Sequence, residues 1–143
     1  MFIGECHHTI DDKGRYIVPA GFREELGEVF YITKGLDHCL FVYTVADWQA
    51  KVAELERLSS TNSNARRFAR SFFSAAQQAV PDKQGRILLS SALRKHAGLL
   101  KDVVTLGVSN RLEIWDCEYW ERYNEDGADE YEAVAEKLAD ICL

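Results

Sequence analysis

The sequence contains no hydrophobic run of the roughly 20 residues that a membrane-spanning helix needs, and its N-terminus lacks a basic stretch followed by an apolar one. We therefore expect neither a membrane anchor nor a signal peptide. The four cysteines, Cys6, Cys39, Cys117 and Cys142, are far apart and form no Cys-x-x-Cys pair. This spacing favours reduced thiols in the cytoplasm over a disulfide framework or a zinc site.

Motifs of common catalytic sites are also missing. The sequence has no Gly-x-Ser-x-Gly, no glycine-rich phosphate loop and no zinc-protease helix, and its four histidines are scattered. Cys6, His7 and His8 are potential metal ligands, but adjacent strand residues point to opposite faces, so at most two of the three converge. We therefore predict that the protein is not an enzyme and that it has neither a metal site nor a cofactor.

The net charge of -6 argues, by itself, against a nucleic-acid partner, but the charge is unevenly distributed. Residues 61–96 contain seven basic side chains and one acidic one, whereas residues 102–143 contain twelve acidic and three basic ones. A basic surface in the middle of the chain is therefore compatible with the acidic total. The cluster of Arg66, Arg67 and Arg70 is open to two interpretations, a solvated helix face or a contact with phosphate or another subunit.

The strongest feature that is present is an internal repeat with an offset of 71 residues. The segment Asp11-Asp12-Lys13-Gly14-Arg15 recurs as Asp82-Lys83-Gln84-Gly85-Arg86, and three apolar residues follow each copy. A run of small residues then leads to Arg23 in one copy and to Arg94 in the other. Units of roughly 50 to 60 residues are marginal alone, so we expect the copies to share one core or to pair like a dimer within one chain.

Each unit is predicted to form a hairpin, a short helix and a second hairpin, which gives a mainly β, α+β fold. In the first unit, strands at 2–10 and 15–18 would flank the turn, a helix would span 19–26, and strands at 29–33 and 39–43 would follow. The predicted divisions are the first repeat with its following helix at 1–60, a linker helix at 61–72, the second repeat at 73–124, and a C-terminal amphipathic helix at 125–143. A break at 124–129 would precede that last helix, whose apolar stripe would comprise Tyr131, Val134, Leu138 and Ile141.

The repeated turn carries the candidate functional residues. Gly14 and Gly85 supply the turn conformation, and we expect Asp11 and Asp82 to be structural, because a carboxylate facing phosphate repels it. A pseudo-twofold would place Arg15 and Arg86 at related positions on a ribbon that suits the DNA major groove. The candidate DNA-binding residues are therefore Lys13, Arg15, Lys83 and Arg86. Two alternatives stay open: each turn arginine pairs only with its own aspartate, and Arg23 and Arg94 contact either phosphate or a helix-end carboxylate.

These residues resemble a known family. Met1-Phe2-Ile3-Gly4, the first Asp11-x-Lys13-Gly14-Arg15-x-Ile17-Val18-Pro19-Ala20-x-Phe22-Arg23 and the second Asp82-Lys83-x-Gly85-Arg86 are similar to the MraZ family of bacterial transcriptional regulators, which has two AbrB-like (SpoVT-AbrB) domains. The resemblance extends over essentially the whole chain. The chain departs from the family pattern at Ser90, where a second proline is usual, at Gln84 opposite Lys13, and at Cys6, where an aromatic residue is expected.

The resemblance implies a swapped-hairpin (double-split) β-barrel built from the two repeats, flanked by amphipathic helices, and ring-shaped homo-oligomers in the cytoplasm and nucleoid. It also implies binding to short direct repeats in double-stranded DNA upstream of the protein's own gene, at the head of a division and cell-wall cluster. Lys13, Arg15, Lys83 and Arg86 would contact DNA, with Arg23 and Arg94 as candidate backbone contacts. The alternative is a protein-binding scaffold, because related swapped-hairpin units include antitoxins and the acidic tail suits a basic partner.

Overall fold

The computed structural model describes residues 1–138, 140 and 141. The first repeat forms four strands and two helices in chain order: β1 (Glu5–Thr9), β2 (Arg15–Ile17), α1 (Ala20–Leu26), β3 (Phe30–Lys34), β4 (Leu40–Thr44) and α2 (Val45–Glu56). Helix α3 (Ser63–Ala75) joins it to the second repeat. That repeat forms the same series: β5 (Gln77–Ala79), β6 (Arg86–Leu88), α4 (Ser91–Ala97), β7 (Asp102–Val108), β8 (Arg111–Asp116) and α5 (Cys117–Ala128), followed by α6 (Tyr131–Glu136).

The strands form one six-stranded sheet, ordered β1-β7-β8-β4-β3-β5, and a separate two-stranded ribbon of β2 and β6. All pairs are antiparallel. When each strand is exchanged for its counterpart in the other repeat, the same order results, read from the opposite edge of the sheet. The chain therefore has a pseudo-twofold arrangement. Within the described residues the strands form this sheet and ribbon and no closed barrel. The predicted α+β class, dominated by antiparallel strands and built from two repeats, is confirmed.

The first hairpin predicted in each unit is wrong in its pairing. The turn forms where expected, with Gly14 N donating to Asp11 O at 2.9 Å, but β1 pairs with β7 and β2 pairs with β6. A hairpin of β1 with the three-residue β2, or of the three-residue strands β5 and β6, would be marginal by itself. Pairing between repeats instead sets Tyr16 opposite Ile87 and buries both side chains. The second hairpin of each unit, β3–β4 and β7–β8, is confirmed.

The main hydrophobic core joins the two repeats. Its fully buried side chains come from both: Tyr16, Phe30, Ile32 and Leu40 from the first, and Leu89, Leu93, Leu112 and Ile114 from the second. Each buried aliphatic or aromatic side chain contributes roughly 1.5–3 kcal/mol by removal from water, and neither repeat could retain that contribution alone. The expectation that the copies share one core is therefore confirmed.

Local capping signals explain where the short helices start. Ser90 Oγ accepts a hydrogen bond from Leu93 N at 3.2 Å, so a serine starts α4 where Pro19 starts α1. Thr44 Oγ1 accepts from Asp47 N at 3.1 Å and starts α2 in the same way.

Helix boundaries differ from the prediction towards the C-terminus. Helix α5 continues to Ala128, so the break predicted at 124–129 shortens to the two residues before Tyr131. The Asp116 carboxylate caps α5 by accepting from Tyr119 N at 3.1 Å. The four residues of the predicted C-terminal apolar stripe are all exposed: Tyr131, Val134, Leu138 and Ile141. The predicted helix at 125–143 includes 139, 142 and 143, which lie outside the described residues.

Candidate nucleic-acid interface

The first turn is organised by the Asp11 carboxylate. Its Oδ1 accepts hydrogen bonds from the backbone N–H groups of Lys13, at 3.0 Å, and Arg15, at 2.9 Å. Its Oδ2 pairs with Arg15 Nε. Gly14 adopts a φ of 83°, which a side chain would oppose. The Arg15 backbone N–H, aided by the Arg15 guanidinium, holds the pKa of Asp11 below its usual range.

The second turn repeats these contacts. Asp82 Oδ1 accepts from the backbone N–H groups of Gln84 and Arg86, both at 2.9 Å, and Asp82 Oδ2 accepts from Arg86 Nε at 3.0 Å. The Arg86 backbone N–H is the main cause that lowers the pKa of Asp82. Gln84 adds a contact of its own, because its Oε1 accepts from Arg86 Nη2 at 3.4 Å. Both aspartates therefore shape their turns and orient the arginine that follows.

The ribbon of β2 and β6 brings the two turns together. Arg15 lies opposite Leu88, and Ile17 lies opposite Arg86. Side chains alternate between the faces of a strand, and the central pair, Tyr16 and Ile87, points into the core. The outward face therefore carries two arginines and two exposed apolar side chains: Arg15, Arg86, Ile17 and Leu88.

A buried polar network fixes the ribbon to the six-stranded sheet. The Tyr16 hydroxyl lies 2.7 Å from Thr105 Oγ1 on β7, and His8 Nε2 lies 2.8 Å from the same oxygen. Burial raises the pKa of Tyr16 and lowers the pKa of His8, and the neighbouring His7 lowers that of His8 further. Both groups are therefore neutral hydrogen-bonding partners that hold β2 in place.

The remaining candidates divide into two kinds. Lys13 and Lys83 are exposed beside the ribbon, one in each turn. Arg23 Nε donates to Val18 O at 2.7 Å, and Arg94 Nε donates to Leu89 O at 3.1 Å. Each of these arginines thus donates a hydrogen bond to the backbone carbonyl of the residue that follows a ribbon strand. Within the described residues neither Arg23 nor Arg94 makes a salt bridge, so the helix-end ion pair that the sequence left open does not form there.

The arginine cluster belongs to α3, a helix that packs against β3. Arg66, Arg67 and Arg70 are exposed. Arg66 Nη1 donates to Ser60 O at 2.8 Å and thereby closes the loop before the helix. Both interpretations of the cluster, a solvated helix face or a contact with phosphate or another subunit, are compatible with this exposure.

Sequence reasoning missed the apolar part of the outward face. Ile17 is 37% exposed and Leu88 is 57% exposed, although both belong to the apolar triplets that follow each Gly-Arg pair. The signal was strand alternation: once Tyr16 and Ile87 point inward, their neighbours must point outward.

Comparison with known proteins agrees with the repeat. The family model described as "MraZ protein, putative antitoxin-like" matches twice, at residues 1–71 and 72–142. The chain is 56% identical over 141 residues to "Transcriptional regulator MraZ" of Moorella thermoacetica, with 99% of each chain covered. It is 53% identical to the protein of the same name in Heliobacterium modesticaldum, with 100% of each chain covered.

A third relative, "Transcriptional regulator MraZ" of Clostridium tetani, is 49% identical over 141 residues, again with 99% of each chain covered. Among the described residues, every helix is too short or too polar to cross a membrane. The two family matches together cover residues 1–142, and the relatives align with this chain along their whole length. This chain therefore belongs to the MraZ family.

Proposed function

We propose that this protein is a sequence-specific DNA-binding transcription regulator that uses the outward face of the β2–β6 ribbon. The proposal rests on the antiparallel pairing of these strands, which puts Arg15 and Arg86 on one face. A two-stranded ribbon fits the major groove, and an arginine fork matches the O6 and N7 atoms of guanine. The relatives' shared name, "Transcriptional regulator MraZ", supports the same function.

The two turns prepare the arginines for this role. Asp11 and Asp82 hold the Nε atoms of Arg15 and Arg86. Holding a long side chain before binding reduces the conformational entropy lost in the complex. The Nη atoms of each guanidinium would make the base contacts, and in the second turn Arg86 Nη2 would exchange Gln84 for a base. The aspartates thus act as positioning residues and do not touch DNA.

Lys13 and Lys83 would contact the DNA backbone beside the ribbon, because both are exposed and ammonium groups act as point charges towards phosphate. Arg23 and Arg94 are weaker candidates, since their Nε atoms already bond to backbone carbonyls. Any phosphate contact from these two residues would use the terminal nitrogens. Binding should therefore be salt-dependent, with a slope set by the number of phosphates contacted.

The exchange of strands between repeats supports a swapped-hairpin arrangement of the two SpoVT-AbrB units. It also gives the subunit two related ends, since β1 and β5 are the edges of the six-stranded sheet. Exposed apolar residues lie next to both edges, with Met1 and Ile3 before β1 and Val80 after β5. Head-to-tail contact of such ends would close a ring. The subunits of a ring present their ribbons in the same orientation, so the ring would bind short direct repeats in DNA. We propose that these repeats lie upstream of the protein's own gene, at the head of a division and cell-wall cluster.

The test is fluorescence anisotropy with a labelled duplex from upstream of the gene, at two salt concentrations. Arg15→Ala should weaken specific binding by roughly 5- to 150-fold, because a bidentate arginine–guanine contact is worth roughly 1–3 kcal/mol. Arg122→Ala is the matched control, since it removes the same charge from an exposed position on α5 and should leave binding unchanged. Native mass spectrometry should show the same assembly for all three proteins.

Two outcomes would contradict the proposal. Loss of the assembly in Arg15→Ala would make the arginine a structural residue of its turn. Unchanged binding in Arg15→Ala and Arg86→Ala would move the DNA contact away from the ribbon. Scrambling the spacing between direct repeats should also weaken binding, and indifference to the spacing would argue against a ring.

A second candidate function is binding of a protein partner. Tyr131, Val134 and Leu138 are exposed on and just after α6, within a segment of mostly acidic charge, and the matched family model is described as antitoxin-like. A basic protein with an apolar groove would suit this surface. Isolation of one stoichiometric partner from cells, lost on Val134→Asp, together with no specific DNA enrichment, would favour this function over DNA binding.

A further inference from the structure

Three side chains with metal-ligand chemistry meet on the surface where the start of α5 lies beside β1. They are His7 on β1, Cys117 at the start of α5, and Glu121 one turn later. Cys117 Sγ lies 3.5 Å from His7 Nδ1 and 3.6 Å from Glu121 Oε1. One ligand atom from each residue lies within 4.8 Å of the others, and this is the only such group of three among the described residues.

The fold brings these residues together for definite reasons. His7 lies opposite Val104 in the pairing of β1 with β7, and α5 packs on β7 and β8. Cys117 and Glu121 are four residues apart on one helix, so their side chains lie on the same face. Residues from the first repeat and from the last helix of the second repeat therefore share one surface site.

The two distances from the Cys117 sulfur, to His7 Nδ1 and to Glu121 Oε1, fit a tetrahedral metal ion. Zinc binds thiolate sulfur at about 2.3 Å, imidazole nitrogen at about 2.0–2.1 Å and carboxylate oxygen at about 2.0–2.2 Å. With tetrahedral angles, these lengths put the sulfur about 3.6 Å from the nitrogen and about 3.6 Å from the oxygen. We propose that His7 Nδ1, Cys117 Sγ and the Glu121 carboxylate bind a zinc ion, with water in the fourth position.

The surroundings of His7 suit this role. Its other ring nitrogen, Nε2, lies 3.1 Å from Glu5 Oε1. When Nε2 carries the proton and donates to Glu5, the lone pair of Nδ1 faces Cys117. A carboxylate on the far nitrogen of a metal-binding histidine fixes the tautomer and raises the basicity of the ligand. Glu5 thus supplies a second, separate feature of a metal site.

The approach to the site is open and carries mainly negative charge. A surface cavity of about 660 Å³ is lined by His7, Cys117 and Glu121 and also by Asp102, Asp116, Glu118 and Lys101. Four of these side chains besides His7 and Cys117 are acidic, against one lysine, so the cavity attracts cations. An ion could therefore enter without rearrangement of the fold.

Binding exchanges one proton for the metal. The Cys117 thiol hydrogen-bonds to Glu121 in the metal-free protein; zinc would replace that proton, which leaves to solvent, and bind the thiolate. The ion would then connect edge strand β1 to α5. Because only the folded chain brings the three ligands together, zinc would stabilise the folded state as its concentration rises above the dissociation constant.

The experiment is a titration of the metal-free, reduced full-length protein with cobalt(II), followed by zinc. Tetrahedral cobalt bound to a thiolate gives intense visible bands and a sulfur-to-metal charge-transfer band that aqueous cobalt lacks. We expect one cobalt ion per chain, displacement by zinc, and a zinc-dependent rise in Tm. Cys117→Ser should abolish the charge-transfer band, and Glu5→Gln should weaken binding by about 10–100-fold.

Two matched controls test the assignment. Cys6→Ser removes a thiol from the neighbouring position of β1, which points to the other face of the strand. Glu118→Gln removes a carboxylate that lines the same cavity but is not one of the three ligands. Both should bind cobalt as the unchanged protein does. Absence of the bands in the unchanged protein, or their persistence in Cys117→Ser, would overturn the proposal.

Discussion

The two turns share one sequence pattern and one set of hydrogen bonds, yet their surroundings differ. Gly14 is buried, and a Cβ atom added there would lie 2.5 Å from Arg94 Nε. The nearest atom to a Cβ on Gly85 would be Ile17 Cγ2, at 3.9 Å. Leu89 N also donates to Gly14 O at 3.1 Å. Leu89 and Arg94 of the second repeat therefore cover the first turn.

Around the second turn the structure is more open. A cavity of about 710 Å³ lies between it and the first repeat, lined by Val18, Arg23, Phe30, Val80 and Gly85 among others. The sequence position that carries Lys13 in the first copy carries Gln84 in the second. Gln84 accepts from Arg86, which is a contact within the second turn itself.

The centre of the ribbon shows the same asymmetry. Tyr16 and Ile87 face each other across β2 and β6, but only Tyr16 has a hydroxyl, which bonds to Thr105 on β7. Local sequence thus determines the hydrogen bonds within each turn, whereas contacts from the other repeat, made by Leu89, Arg94 and Thr105, hold the first copy.

The largest expected difference lies at the ribbon centre. Tyr16→Ala should lower the free energy of unfolding by about 3–5 kcal/mol, at the upper end of the roughly 2–5 kcal/mol typical of Ile→Ala, because an aromatic ring leaves a larger cavity. Ile87→Ala should cost less than Tyr16→Ala. The measurement is urea unfolding at one fixed protein concentration. Equal losses for the two variants would remove the asymmetry proposed for this pair.

The turn glycines should show a smaller difference. Alanine at a φ of 83° or 79° is strained by roughly 1–2 kcal/mol, so both Gly14→Ala and Gly85→Ala should lose about that much stability. Gly14→Ala must also displace the Arg94 side chain and break its bond to Leu89 O, so it should lose more. A midpoint in urea that is lower for Gly85→Ala than for Gly14→Ala would contradict the comparison.

Features carried by local sequence were predictable. Ser90 and Thr44 start helices because their hydroxyls accept from amides three residues later, and such signals need no tertiary information. The repeat itself predicted a shared core, since each unit alone is too small to bury one. The Asp-x-x-Gly-Arg pattern likewise located the two turns.

Features that depend on distant pairing were not predictable. Nothing near Arg15 in the sequence states that β2 pairs with β6 instead of β1, because the choice depends on burying Tyr16 against Ile87. The grouping of His7 with Cys117 joins residues 110 positions apart, so scanning for short ligand spacings predicted no metal site. Exposure of Ile17 and Leu88 was within reach, since alternation about the buried central pair requires it.

The smallest expected effect concerns acid, where the two turns should behave alike. The pKa values of Asp11 and Asp82 are lowered in the folded protein, chiefly by the backbone N–H groups of Arg15 and Arg86. A lowered folded-state pKa stabilises the protein above the ordinary carboxyl pKa of about 3.9, and this contribution is lost as the pH falls through the folded-state value.

Asp11→Asn and Asp82→Asn keep an oxygen that accepts from the amides but remove the titrating charge. Each variant should therefore lose less stability than the unchanged protein between pH 5 and the folded-state pKa, and by similar amounts, in urea unfolding measured across that range. Similar losses would follow because both carboxylates accept the same two backbone bonds and pair with the same kind of arginine, whatever lies around them. A clear difference between the variants would mean that the tertiary surroundings, and not the local hydrogen bonds, govern the carboxylates.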